Sequence, residues 1–366
     1  MTKRGIILGL VSVALLAIWF TNCVPETRAG VEPVWIPLLG TDVLKVRSLH
    51  SDGKRLFADT PNGFYISDDD GSTWRPTGMT HRVYCLGFGG DAVYAYTGMD
   101  FGMFRSDDRG ETWKPVNNGL PLKFWEDGDS YYPWFRDIYV AGDGTVILGT
   151  NGLLFTSTDR GETWRDVTQD WLWESKSPVA AFGVESLTEF DGYLWVGELG
   201  TMRSPDRGQT WEYTGSVEGA RFPFEWAVWD KRLYAVGVQG MARWNEIEGR
   251  WEDLRVGLPP KVIVLAPPEF YTLRIIVRSD EYGLANFAVN RGRFFAGLRD
   301  EGVYMFDHRT ETWVHAGLKG LRVRSLVSHR SDLYAATGEG IFRAAIPNAV
   351  GPYGKRVTTW GAIKTN

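Results

Sequence analysis

Short stretches of alternating or wholly apolar residues recur along the chain, separated by turns rich in Gly and Asp. Period-two alternation bounded by such turns predicts β-strands. The first set is Val46-Arg47-Ser48-Leu49, then Leu56-Phe57-Ala58, then Phe64-Tyr65-Ile66, closing at Trp74. The second runs from Val83-Tyr84-Cys85-Leu86 through 93–96 and Met103-Phe104 to Trp113, and the third from 138–140 through 146–148 and 154–156 to Trp164. A fourth ends at Trp211, a fifth at Trp251 and a sixth at Trp313. The seventh begins at Val323-Arg324-Ser325-Leu326, almost repeating the first, and stops after its third strand at Ile341-Phe342-Arg343. Repetition on this scale means one supersecondary unit stacked many times. The expected architecture is all-β: about seven four-stranded blades in a single ring. The last blade lacks a fourth strand. Val34-Trp35-Ile36-Pro37 precedes Val46 as Trp313-Val314 precedes Val323, so this N-terminal stretch is expected to close the ring; Val357-Thr358-Thr359-Trp360 competes for that place.

Between third and fourth strands stands the pattern S-x-D-x-G-x-T-W. It occurs four times: Ser67, Asp69, Gly71, Trp74; Ser106, Asp108, Gly110, Trp113; Ser157, Asp159, Gly161, Trp164; Ser204, Asp206, Gly208, Trp211. Aspartate is expected to accept backbone hydrogen bonds two and three residues on, as in an Asx turn. Glycine supplies a positive φ. The fifth and sixth repeats lose the pattern, with Glu246 and Glu248, then His308 and Thr310, at the Asp and Gly positions. The four matches resemble the Asp-box (BNR) repeat of sialidase-like and related β-propellers, including photosystem II assembly factors. The resemblance implies a β-propeller whose boxes are structural.

Boxes then share one face of the ring, and inter-blade links share the other. The long insertions fall in the links: 119–136 carries Trp125, Asp127, Asp129, Tyr131, Tyr132, Trp134 and Arg136, while 170–183 carries Trp171, Trp173 and Glu174. Binding residues concentrate on loops held by a rigid scaffold. Trp125, Tyr131, Tyr132, Trp134, Trp171 and Trp173 are therefore candidate contacts for a protein or carbohydrate, unless they fold back to cap the blades. Arg47, Arg82, Arg136 and Arg324 begin inner strands on the same face. They can grip a carboxylate bidentately. Alternatively they pair with Asp59, Asp137 and similar acids along a wet channel.

Composition narrows the partners. Net charge is −5, with 40 basic and 45 acidic residues, so no positive field invites nucleic acid. Cys23 and Cys85 are too few for a disulfide framework. Lys3 and Arg4 precede an apolar run at 6–20, as in a secretory signal. Residues 1–29 are read as a signal peptide or N-terminal anchor, with cleavage after Ala29 or lipidation at Cys23 as alternatives. Residues 30–350 form the propeller, and 351–366 a C-terminal tail or closing strand. The chain is expected to be exported, periplasmic or extracellular, and monomeric. Membrane contact is expected only through the N-terminus.

No catalytic set emerges. The Arg-Ile-Pro motif that likeness to sialidases would imply is missing, and the count is seven blades rather than six. Asp127, Asp129, Glu174, Glu185 and Glu225 could supply a glycosidase carboxyl pair. No metal spacing or phosphate-binding loop occurs, so no cofactor is expected. The sequence points to a non-catalytic protein- or glycan-binding scaffold, with a glycoside hydrolase as the alternative.

Overall fold

A computed structural model describes residues 33–124, 130–150, 153–167, 184, 186–197, 200–208, 210–217, 223–237, 240–254 and 284–346. The signal-like run, Cys23, Ala29, Trp125, Trp171, Trp173, Asp127, Asp129, Glu174, Glu185 and 357–360 lie outside the described residues.

Seven four-stranded antiparallel sheets make the ring. Blade 1 spans 48–76, blade 2 85–115, blade 3 135–166, blade 4 186–215, blade 5 223–253 and blade 6 284–315. In each, the four strands neighbour one another in chain order. First strands of blades 2 and 3, 3 and 4, 4 and 5, 6 and 7, and 7 and 1 touch across the ring. Blade 7 takes three strands, Val323–His329, Asp332–Thr337 and Gly340–Ala345, from the end of the described chain. Its fourth is Trp35–Pro37, antiparallel to the third with Trp35 opposite Ala344 and Ile36 opposite Arg343.

The core lies between blades rather than inside them. One cluster joins Tyr94, Tyr96 and Met103 of blade 2 to Phe135, Leu148 and Phe155 of blade 3. Another centres on Trp195, fully buried against Trp244 and Trp251 of the next blade. Each sheet is apolar on both faces because each is sandwiched, which explains second strands that are wholly apolar instead of alternating.

The boxes form a hydrogen-bonded plug with a longer reach than an Asx turn. Asp108 Oδ1 accepts from the Thr112 N–H at 2.9 Å, four residues on, and Oδ2 accepts from the Thr112 hydroxyl at 2.6 Å. The expectation of bonds two and three residues on is thus corrected. The turn between them is tightened by serine: Ser106 Oγ accepts from the Gly110 N–H at 2.7 Å and donates to Asp108 Oδ1 at 2.7 Å. Ser67, Asp69 and Gly71, Ser157, Asp159 and Gly161, and Ser204, Asp206 and Gly208 repeat this arrangement. In each the residue before glycine also has positive φ, as at Arg109 (60°) and Gly110 (94°).

Serine is the buried member and aspartate the exposed one: Ser106 has 0 % exposure, while Asp108 faces water. Ser106→Ala strands a buried N–H and is expected to cost about 1–3 kcal/mol. Asp108→Ala leaves its donors to water and is expected to cost about 1 kcal/mol. Urea melts of the two variants check the order; an equal or larger loss for Asp108→Ala would place the turn's stability in the carboxylate.

The tryptophans divide into two kinds. Trp74, Trp113 and Trp211 donate to the glycine carbonyl of their own box, at 3.0–3.1 Å. Trp164, Trp251, Trp313 and Trp35 reach instead to the preceding blade: to Val116 O, Thr201 Oγ1, Leu254 O and Ala316 O at 2.7, 2.8, 3.0 and 2.8 Å. Blades 5 and 6 have lost the serine plug. Trp244 and Phe306 occupy its position and pack into the core. Asn245 and Asp307, one residue on, accept the turn N–H groups instead.

Candidate functional site

The link face is built where first strands begin. Arg47, just before the first strand of blade 1, is held by Asp59, with Nε donating to Oδ2 at 2.6 Å and Nη2 to Oδ1 at 3.1 Å. Asp59 is 1 % exposed and accepts a third bond from the Val83 N–H at 3.2 Å. Burial nonetheless raises its pKa, against the pull of Arg47. Arg47 is thus half of an ion pair that staples blade 1 to the start of blade 2. Arg324 of blade 7 reaches Val46 O at 3.4 Å, beside it.

Arg82 continues the row. Its guanidinium sits 4.4 Å over the Tyr84 ring. Tyr84 meets Trp134 edge-on at 4.8 Å, and the Arg136 guanidinium lies 5.9 Å from the Trp134 ring. Arg324, Arg47, Arg82 and Arg136 therefore follow one another across blades 7, 1, 2 and 3. Tyr84, and Phe101 in the turn between the second and third strands of the same blade, 44 % exposed and stacked on His81 at 3.8 Å, carry no repeat signature and were not singled out in the sequence. Arg82-x-Tyr84 at the mouth of an inner strand is the signal that could have found them.

The insertion after blade 2 folds back. Its described part contains a two-stranded hairpin, Lys123–Phe124 with Ser130–Tyr131. Tyr132 N–H donates to Met99 O at 2.7 Å, and Tyr96 OH donates to Pro133 O at 3.1 Å. Trp134 and Tyr132 pack on the cluster between blades 2 and 3. These two aromatics are therefore caps on their inner side, with Tyr131, Tyr132 and Trp134 all partly exposed on the other.

Further along the inner strands, Asp137 accepts the Ile138 N–H at 2.8 Å and the Leu187 N–H of blade 4 at 2.7 Å. Burial pushes Glu225 up to about 8, with the Asp137 charge adding to it and the Phe287 N–H opposing. Burial and the same Asp137 charge raise the Cys85 thiol, which is a free cysteine. Among the described residues no three His, Cys, Asp or Glu side chains are grouped to hold a metal ion.

The BNR/Asp-box repeat family model matches residues 104–115, the second box and its flanking strands. No curated protein matches the sequence. Among solved structures, YCF48 bound to D1 peptide is similar at 13% identity and TM-score 0.55, with 87% of this chain and 97% of that one covered. The extracellular domain of the putative one component system BT4673 from B. thetaiotaomicron is similar at 15% identity and TM-score 0.58, over 86% of this chain and 40% of that one. The Niastella koreensis GH74 enzyme is similar at 15% identity and TM-score 0.53, over 81% and 52%. At such identities the likeness is one of fold. The chain is a seven-bladed β-propeller that carries four serine-plugged Asp-box turns, one of them matched by the BNR/Asp-box model.

Proposed function

We propose that this propeller is an exported, non-catalytic scaffold whose link face captures a protein segment bearing carboxylates. The observation that carries the reading is the stacked row Arg82–Tyr84–Trp134–Arg136. An arginine over an aromatic ring, as Arg82 lies over Tyr84, offers a planar fork suited to bidentate acceptors. Aromatics with arginine are the side chains that dominate protein contacts. A solved structure of similar fold, YCF48, holds the D1 peptide, which supports a peptide-binding use of such a ring. Trp125, Trp171 and Trp173 are proposed to extend the face.

A glycosidase remains the second reading because Glu225, held protonated near neutral pH beside the Asp137 charge, has the pKa of a general acid. One experiment separates the two. Acidic peptides are titrated against wild type and Arg82→Glu/Arg136→Glu, and the same preparations are incubated with polysaccharides. The expected result is salt-sensitive peptide binding, weakened about tenfold or more by charge reversal, equivalent to about 1.4 kcal/mol, with no sugar released. Unchanged binding sinks the scaffold reading at this row; sugar release that Glu225→Gln abolishes supports the enzyme.

A further inference from the structure

In six of the seven seams, the turn between the third and fourth strands of one blade makes an ion pair with the blade before it. Glu111 meets Arg55 at 2.9 Å between blades 1 and 2, and Glu162 meets Arg105 at 2.8 Å between blades 2 and 3. Arg207 meets Asp143 between blades 3 and 4. Glu246 meets Arg203 at 3.2 Å between blades 4 and 5, and Glu311 meets Arg243 at 3.2 Å between blades 5 and 6. Asp70 meets Arg330 at 2.8 Å between blades 7 and 1. Among the described residues, the seam between blades 6 and 7 has no such pair. The cause is topological. The fourth strand of blade 7 is Trp35–Pro37, from the other end of the chain, so no turn joins it to the third.

Blade 6 nonetheless presents cations to this gap. Arg293 stands before Phe294 as Arg55 stands before Leu56, and the next residues, Phe295 and Phe57, pair with Met305 and Ile66. Arg55 binds Asp68, Glu111 and the Arg109 carbonyl. Arg293 has no carboxylate among the described residues, and its Nη1 meets the Met305 sulfur at 4.0 Å. Burial lowers its pKa, with no acid to offset it. Met305 belongs to the cluster shared with blade 7, so this guanidinium lies in the seam. Arg291 stands in the same turn, where blades 1 to 5 carry Asp52, Asp91, Asp143, Asp191 and Asp230. Asp332 of blade 7 has its carboxylate on Arg343, at 2.5 Å. Asn290, cross-strand from Arg293, is wholly buried and donates Nδ2 to Ser328 Oγ and Asp332 O, both at 2.8 Å, while its Oδ1 has no partner.

A desolvated guanidinium without a counter-ion and a buried acceptor without a donor both cost stability. They occur together at the seam that the repeat leaves without its turn. A free carboxylate would satisfy the arginine alone. A turn of polypeptide supplies a carboxylate and backbone N–H groups together. We propose that the open end of this seam binds an acidic turn of a second polypeptide, with Arg293 and Arg291 gripping its carboxylate and Asn290 Oδ1 accepting a backbone N–H. The site is on the box face, away from the arginine–aromatic row, so it stands or falls independently of capture at the link face.

The probe is a cyclised peptide with the sequence of residues 67–74, the turn that carries Asp70 into the neighbouring seam. It is titrated by calorimetry against the full chain carrying Arg82→Glu/Arg136→Glu, which silences the link face. Arg291→Gln/Arg293→Met and, separately, Glu32→Gln are added to that parent. Methionine keeps the apolar stem of Arg293 beside Met305. The expected result is binding about tenfold weaker or more when the two arginines are replaced, with the melting midpoint of the unliganded variant unchanged or raised. Equal affinity for parent and variant, or binding to neither, would overturn the proposal. A lower midpoint would reveal a partner for the arginines within the chain and overturn it too. Succinate bound as tightly as the peptide would make the site a simple anion pocket. A peptide refused by the parent but bound after Glu32→Gln would show that the chain fills the seam with its own Glu32, three residues before Trp35. Either outcome removes the second polypeptide from the site.

Discussion

Trp35→Ala is expected to lower stability by about 2–4 kcal/mol, the range for truncating a large aromatic that is mostly rather than wholly packed. The indole of Trp35 fills the seam between blades 6 and 7. It donates to Ala316 O at 2.8 Å and packs beside Leu318 on the blade 6–7 cluster. It also lies so close to Gly317 that a Cβ there would meet Cδ1 at 2.4 Å. Loss of the ring opens a cavity at the one seam where the two ends of the described chain meet. Trp113→Ala is the control, because Trp113 closes its own turn on Gly110 O and its strand is continuous with its blade. Urea unfolding should show a larger loss for Trp35→Ala. Brief proteolysis should nick it first near residues 33–46. Equal losses, or first cleavage elsewhere, would mean that ring closure does not depend on this strand.

Stability is expected to peak near pH 6.5–7 and to fall on both sides, for opposite reasons. Burial lowers His50 and His308 to about 4, and lowers His329 as well. Between pH 6.5 and 4 the unfolded chain therefore takes up protons that the folded chain refuses, and stability declines as pH falls. Glu225 works the other way. Its folded pKa of about 8 lies above its unfolded value, so the folded chain binds the extra proton and stability declines as pH rises from 4.5 to 8. Above 6.5 only the Glu225 slope of these four remains, and below 6.5 three histidines oppose one glutamate. At 1.36 kcal/mol per unit, and allowing for partial exposure, the alkaline arm is worth about 1–2 kcal/mol and the acid arm about 3 kcal/mol. Chemical denaturation at pH 4.5, 6.5 and 8.5 measures both. Glu225→Gln should flatten the alkaline arm and steepen the acid arm, where Glu225 no longer offsets the histidines. An alkaline arm that survives in that variant would assign it to another group.

Much of this could be read along the chain. Seven strand sets, the repeated Trp and the S-x-D-x-G-x-T-W turns are local features. Each depends on period-two patterning, on glycine's freedom at positive φ, or on side chains bonding a few residues away. Even the closing strand was legible, because Trp35 stands eleven residues before Val46, much as Trp313 stands ten before Val323.

What the sequence left open are partnerships between residues far apart in it. Arg47 could equally have been a free anion-binding cation or half of an ion pair; only the fold carries Asp59 to it and lends Asp59 a further bond from Val83. Tyr132 and Trp134 could have been open binding aromatics or caps, and the chain's return to Met99 and Pro133 makes their inner sides caps. The sequence by itself determined the repeat, its turns and the number of blades, since these follow from backbone geometry within each unit. The tertiary structure alone decided which arginines are neutralised and which carboxyl is held protonated. Those depend on desolvation and charge contributed by the neighbouring blade, which a linear pattern does not encode.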